Sequence, residues 1–101
     1  MEIVHEEAGA GRGRFHVGEG TEQAELTYSP AGQGDALVFD HTFVPPSLRG
    51  RGLAEALVER AVAHARDTGR KVVPACSYVR ALFERHPERY ADLRVEAAPR
   101  S

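Results

Sequence analysis

Several features that define whole classes of proteins are missing from this sequence of 101 residues. It has one cysteine, Cys76, which excludes an intrachain disulfide and a cysteine-rich zinc site. No stretch approaches the roughly 20 apolar residues that span a bilayer. The first residues, MEIVHEEAGAG, carry acids where a signal peptide has a basic start. We therefore expect a soluble, cytoplasmic protein without a membrane partner.

An excess of positive charge is also missing. The sequence has 13 Lys and Arg against 15 Asp and Glu, a formal net charge of −2. Sequence-independent nucleic-acid binding relies on a basic field, so we expect no nucleic-acid partner. His5, His16, His64 and His86 show no metal-ligand spacing, and no metal site is predicted.

What is present is the composition of a globular domain, with 42% apolar and 28% charged residues. The length fits one ordinary domain over residues 1–101, with a core at about 13–93. Alternating apolar positions predict strands in MEIVHEE, RFHVGEG, QAELTYS and residues 36–44, ALVFDHTFV, with a flexible loop at 9–14. No helical pattern precedes residue 49, so this part is predicted to be an antiparallel meander.

The apolar period then changes to that of a helix. From Arg51 onward, helical spacing is shared by Ala54, Leu57, Val58, Ala61 and Ala65. Gly69 stands where a helix C-terminal glycine belongs, and residues 71–76, KVVPAC, predict a short buried strand. Ser77 is a plausible N-cap of a second helix, and a frayed tail follows at 96–101. The predicted class is α/β (α+β), an antiparallel meander leading into a right-handed βαβ unit.

The segment PPSLRGRGLAEAL places two glycines and two arginines at the start of the first helix. Gly50 and Gly52 permit turn conformations closed to other residues and a close approach to the backbone. Arg49 and Arg51 oppose the helix dipole, which costs about 0.3–1 kcal/mol each when exposed. A bound anion at the unpaired helix amides reverses the sign of that cost, so the segment predicts an anion site.

These residues resemble a known family. Arg49, Gly52 and Ala54 match the R/Q-x-x-G-x-G/A signature of the GNAT acetyltransferase superfamily. The later block KVVPACSYVRALFERHPERY looks like its small, single-domain branch, which has a Cys-Ser-Tyr element after the last buried strand and lacks the usual N-terminal helices. The resemblance covers residues 13–93.

The resemblance implies binding of acetyl-coenzyme A. The backbone amides of residues 49–54 would hold the pyrophosphate, and the strand end would pair with the pantetheine amides. The thioester would lie in the gap between the two parallel strands. The residues implied to bind the cofactor are Phe43, Val44, Arg49, Gly50, Arg51, Gly52, Leu53, Ala54 and Ser77.

The resemblance also bears on catalysis. Many members of the superfamily use a tyrosine on the last helix as the acid, but Phe83 stands at that place here. Cys76 could carry the acetyl group, protonate coenzyme A, or pack as an inert residue, and Tyr78 could supply the proton. His41 could take the amine proton or be structural. In a regular strand Asp40 points to the opposite face from His41, so both line one pocket only across a bulge.

The leading hypothesis is an acetyl-CoA-dependent N-acetyltransferase acting on an unidentified small-molecule or protein amine. The alternative, motivated by the missing tyrosine and the small size, is a non-catalytic CoA-binding sensor or interaction module. The expected state is a monomer or a weak homodimer.

Overall fold

The computed structural model describes residues 2–32 and 34–95. In chain order, the elements within them are β1 (Val4–Gly9), β2 (Arg12–Glu19), β3 (Glu22–Ala31), β4 (Ala36–Phe43), α1 (Leu53–Asp67), β5 (Lys71–Pro74), α2 (Ser77–Arg85) and α3 (Pro87–Tyr90), with a 3-10 turn at Pro46–Leu48. The tail expected at 96–101 lies outside the described residues. No helix in the described part of the chain is long and apolar enough to cross a membrane.

The strands form one mixed sheet in the order β1-β2-β3-β4-β5. The first four pair antiparallel, whereas β5 runs parallel to β4 from Ala36↔Lys71 to Phe39↔Pro74. The helix α1 makes the crossover between the two parallel strands, so its N-terminus lies at the edge where β4 ends. The predicted meander and βαβ unit are both confirmed.

The core lies between the sheet and its helices. The buried face of α1 consists of Leu57, Val58, Ala61, Val62 and Ala65, which confirms the helical spacing in the sequence. On the sheet, fully buried side chains alternate along the strands, as in Phe15, Leu26, Leu37, Phe39 and Val72. Each of these contributes roughly 1.5–3 kcal/mol when it leaves water.

The three helices lie on the same side of the sheet. The hydroxyl of Tyr90 in α3 donates a hydrogen bond to the carboxylate of Glu59 in α1. Nearby, Arg66 Nε lies 3.0 Å from Asp92 Oδ2. Among the described residues, no helix covers the opposite face of the sheet, which we call the open face. Its side chains on β2 and β3 include Arg14, Glu25, Thr27 and Ser29.

Two predicted boundaries are wrong. The expected loop at 9–14 is a tight hairpin, because β1 extends to Gly9 and β2 begins at Arg12. Ala10 and Gly11 form its turn with φ of 55° and 79°, the left-handed geometry that suits a two-residue hairpin. The helix α1 begins at Leu53 rather than Arg51, because Gly50 and Gly52 occupy left-handed conformations incompatible with a helix.

The C-terminus of α1 is as predicted. Gly69 has a φ of 70°, and its amide donates to the carbonyl of Arg66 at 3.1 Å. The amide of Arg70 donates to the carbonyl of Ala65 at 2.8 Å. This pair of bonds is the Schellman motif, which ends helices at a left-handed glycine.

Candidate active site

The strand β4 changes character at a bulge. Tyr28 of β3 pairs with Phe39, but the preceding Thr27 pairs with His41, so Asp40 is an extra residue on β4. The parallel pairing with β5 ends at Phe39. Residues 40–43 therefore have a neighbouring strand on the β3 side only, and the backbone edge toward β5 is left without a strand partner in the described residues. A gap opens there between β4 and the start of α2.

The bulge places Asp40 and His41 on the same side of the sheet. The hydroxyl of Ser29, an open-face residue, donates to Asp40 Oδ1 at 3.2 Å. His41 lies opposite Thr27, which also faces this side. The ring of His41 is nearly parallel to that of the exposed Phe43, with centroids 6.4 Å apart. The condition under which both polar residues could line one pocket is thus met.

The glycine turn follows the end of β4. Leu48 is inserted in the core and the Ser47 hydroxyl donates to the Glu22 carboxylate, so the 3-10 turn is anchored before the glycines begin. Gly50 and Gly52 have φ of 81° and 71°, and Gly52 is the N-cap of α1 without any side-chain cap. Within the described residues, no backbone acceptor takes the amides of residues 50–54. They form a run of donors at the positive end of a 15-residue helix.

Arg49 differs from the rest of the turn. Its amide donates to the carbonyl of Pro46 at 3.3 Å, so this donor belongs to the 3-10 turn. Its Nε donates to the carbonyl of Val44 at 3.1 Å, which ties the turn to the end of β4. The Arg49 amide is therefore not one of the unpaired donors of the turn, and its part in the anion site stays a prediction. Arg51 is exposed, and among the described residues its side chain has no hydrogen-bond partner.

A cavity of about 230 Å³ connects the turn to α2. Its walls consist of Val44, Leu48, Arg49, Gly50, Gly52, Leu53, Ala54, Glu55 and Tyr78. Tyr78 stands in the first turn of α2 and faces the glycine turn of α1 across this cavity. Burial, followed by the negative charge of Glu55, raises the pKa of the Tyr78 hydroxyl. The phenol therefore remains a hydrogen-bond donor at neutral pH.

Cys76 lies at the other side of the gap. Its amide donates to the carbonyl of Phe39 at 3.1 Å, which continues the β5 pairing by one bond beyond Pro74. Its Sγ lies 3.6 Å from the hydroxyl oxygen of Thr42, in the half of β4 that pairs with β3 alone. Cys76 is also the N-cap of α2, so the prediction that Ser77 caps the helix and that β5 reaches residue 76 is wrong. Ser77 is the exposed first residue of the helix.

The thiol of Cys76 is in a setting that favours the thiolate. Burial alone would raise its pKa, but the Val79 amide, the Thr42 hydroxyl and the Tyr78 amide together lower the pKa below its ordinary value. No side-chain hydrogen bond caps α2, so the two amides act on the sulfur as nearby dipoles rather than as formed bonds. A cysteine at a helix N-terminus is a common setting for a reactive thiol.

The comparison with known proteins agrees with this geometry. A family model described as GCN5-related N-acetyl-transferase matches residues 14–93. The chain belongs to this acetyltransferase family. The NMR solution structure of a GCN5-like candidate N-acetyltransferase from Staphylococcus aureus is also similar, with a TM-score of 0.71 and 27% identity over 97% of this chain and 91% of that one. The matches support an acyltransferase with the GNAT fold, as the glycine turn had indicated.

At the position where the resemblance implies a catalytic tyrosine, this acetyltransferase has a phenylalanine that packs in the core. Phe83 is fully buried and stacks on Tyr90, with ring centroids 4.2 Å apart. The Tyr90 hydroxyl is in turn bonded to Glu59, so it faces α1 rather than the gap. Neither ring offers a proton near Cys76, whereas Tyr78 stands in the first turn of the helix that Cys76 caps.

A cavity of about 710 Å³ in this acetyltransferase lies against the open face. Asp40, Ser29 and Thr27 form the end nearest His41, and Glu6, Arg12 and Arg14 line the rest. Arg14 is held by two carboxylates, with its Nε 2.8 Å from Glu6 Oε1 and its Nη1 3.0 Å from Glu25 Oε1. No local pattern in the sequence indicates this cavity, because it depends on which residues of three strands share a face.

The structure also brings together residues that sequence spacing kept apart. One ligand atom each of His5, Glu7 and His64 lies within 4.8 Å of the others. His5 and Glu7 are two residues apart on β1, which is a signal that they share a face, but nothing in the sequence places α1 beside them.

Proposed function

We propose that this chain transfers the acetyl group of acetyl-coenzyme A to a primary amine, with the pyrophosphate bound by the amides of residues 50–54. The observation that carries the proposal is this run of unpaired donors at the start of α1, directly after a strand edge that is also unpaired. Backbone amides at a helix N-terminus are well suited to phosphate oxygens. The charges of Arg49 and Arg51 then complement the ligand.

The pantetheine arm would lie along the free edge of β4. An extended chain with amide groups can pair with such an edge as an added strand does. Phe43 and Val44 supply that edge, and we propose that Leu53, Ala54 and Tyr78 contact the arm from the other wall of the 230 Å³ cavity. Because Tyr78 faces the turn, we assign it to cofactor contact, so its loss should raise KM for acetyl-CoA more than it lowers kcat.

The free edge of β4, followed back from the glycine turn, leads to Thr42 and Cys76. We propose that the thioester lies there. We propose that the Cys76 thiolate attacks the carbonyl carbon of the thioester, the bond from that carbon to the coenzyme A sulfur breaks, and coenzyme A leaves as a thiolate that takes a proton from solvent. The amine then attacks the S-acetyl group, and the Cys76 thiolate is regenerated. The lowered pKa of Cys76 supports a nucleophile over an acid.

The acceptor would approach from the open face. His41 and Asp40 stand beside the gap on that side, and a neutral imidazole there can take the proton that the amine loses. Asp40 and the large cavity beyond it offer room and negative charge to an ammonium group. Ser77, exposed at the first turn of α2, would contact the cofactor from the rim.

Turnover and adduct formation test this proposal together. Release of coenzyme A from acetyl-CoA is followed with a panel of amines, and intact mass is recorded before an amine is added. We expect turnover and an added acetyl mass that is lost in Cys76→Ser. An active enzyme whose thiol stays unmodified in a single turnover would remove the covalent step but retain the acetyltransferase. Absence of acetyl-CoA binding by calorimetry would remove the whole proposal.

A CoA-binding module without catalysis is the second candidate, and the burial of Phe83 against Tyr90 favours it. It predicts coenzyme A binding with no acetylation of any amine in the panel. In either case we propose one domain acting as a monomer or weak homodimer, which light scattering can measure.

A further inference from the structure

A second cluster of chemically active side chains lies far from the gap, where the edge strand β1 passes α1. His5 and Glu7 point to the helix-covered side of β1, and His64 stands on α1. His64 follows Leu53 by eleven residues, which is about 17 Å along a helix at 1.5 Å per residue. The cluster is therefore separate from the glycine turn.

The two imidazoles are held in place by aromatic neighbours. His5 stacks on Phe15 with centroids 4.2 Å apart and meets the His64 ring edge-on at 4.5 Å. The Tyr28 hydroxyl lies 2.6 Å from His5 Nε2, and this bond fixes the orientation of the ring. A partner on one ring nitrogen that orients an imidazole is the usual support of a metal-binding histidine.

The charges around the cluster are balanced. Arg60 and Arg70 face it from α1 and the following residues, and Glu7 and Asp67 oppose them. Neutral imidazole is the form that offers a lone pair to a metal, and the Glu7 carboxylate supplies negative charge.

We propose that His5, Glu7 and His64 bind a divalent transition-metal ion, for which Zn²⁺ is the matching probe, and that the ion fastens β1 to α1. Two imidazoles and one carboxylate form a donor set that zinc accepts, with a fourth position left open. Ligands about 2 Å from a tetrahedral ion are about 3.4 Å apart, and the three ligand atoms lie within 4.8 Å of one another, so they need to close by at most about 1.4 Å. A neighbouring cavity of about 170 Å³, lined by Glu7, Tyr28 and His64, has room for a water ligand.

The test uses the full chain without an affinity tag and with Cys76→Ser, which removes the thiol as a ligand. Zn²⁺ affinity is measured by competition with a chromophoric chelator, and Co²⁺ is added for its visible absorption. We expect saturable one-to-one binding, intense Co²⁺ bands of four-coordinate type, and a rise in Tm with Zn²⁺. His64→Ala and Glu7→Gln should each weaken binding at least tenfold and reduce the rise in Tm.

His86→Ala is the matched control, because it removes a histidine at the end of α2 and should leave Zn²⁺ binding unchanged. Glu7 is exposed, so Glu7→Gln tests the site without disturbing the core. Equal Zn²⁺ affinity in the parent chain and in both Glu7→Gln and His64→Ala would overturn the proposal. No saturable binding of Zn²⁺ or Co²⁺ by the parent chain would overturn it as well.

Discussion

The two halves of β4 differ in their neighbours. Residues 36–39 lie between β3 and β5, and their inward side chains, Leu37 and Phe39, are fully buried. Residues 40–43 follow the bulge, have a strand on one side only, and expose Asp40, His41 and Phe43. One extra residue thus divides a strand into a part that supports the core and a part with one open edge and exposed side chains. From this difference we expect that stability and activity can be changed separately in the two halves.

The largest effect expected from this division is on stability. Leu37→Ala removes a fully buried side chain and should lower the free energy of unfolding by about 2–5 kcal/mol. His41→Ala, on the exposed half, should change it by only about 0.5 kcal/mol. Urea unfolding measures both. Similar losses in the two variants would mean that the halves do not differ in their structural role.

The next effect concerns activity in the exposed half. His41→Ala should reduce kcat/KM for amine acetylation by about 100-fold, the usual contribution of a general base, because no imidazole then takes the amine proton. His86→Ala is the control and should retain the parent activity. Steady-state kinetics with a reactive amine decide the matter, and unchanged kcat/KM in His41→Ala would assign His41 to structure alone.

The two glycines that flank α1 allow a matched comparison. Gly52 and Gly69 have φ of 71° and 70°, and in both cases a Cβ would meet open space. Alanine at either place should therefore cost a similar amount of stability, about 1–2 kcal/mol, through the left-handed backbone. Only Gly52→Ala should weaken coenzyme A binding, because it disturbs the donors of residues 50–54. Calorimetry measures the affinity for coenzyme A. Equal affinities in the two variants would mean that coenzyme A does not bind at the glycine turn.

The smallest effect is on the thiol. Thr42→Val removes a hydroxyl that helps to lower the pKa of Cys76, so that pKa should rise and the thiolate fraction at neutral pH should fall. The rate of alkylation by iodoacetamide against pH reports the change, because the thiolate is the reacting form. Thr27→Val makes the same chemical change on the open face of β3 and should leave the curve where it was. A shift of the curve in Thr27→Val but not in Thr42→Val would contradict the role given to the contact between Cys76 and Thr42.

The sequence predicts the glycine turn well because its determinants are local. Gly50 and Gly52, a preceding strand and a following amphipathic helix all lie within a short segment, and each has a direct backbone meaning. The left-handed conformations at Gly52 and Gly69 are of this kind. The boundary errors at Arg51 and Ser77 are of one or two residues and arise where helix ends depend on backbone dihedrals.

The bulge in β4 and the cluster of His5, Glu7 and His64 depend on distances between residues that no local sequence pattern contains. Asp40 becomes an extra residue only through the register between β3 and β4. His64 of α1 meets His5 of β1 only through the tertiary packing, which brings their ring centroids to 4.5 Å. The hairpin after Gly9 escaped prediction for a different reason, since its exposed residues lack the apolar alternation that marks a half-buried strand.

A titration of the 15N-labelled chain with coenzyme A, followed by amide chemical shifts, tests the central claim most directly. We expect the largest shifts at residues 50–54 and at Phe43 and Val44, with small shifts at Leu37 and Val38, in the half of β4 that pairs with both β3 and β5. Shifts absent from residues 50–54 while coenzyme A binds elsewhere would contradict it.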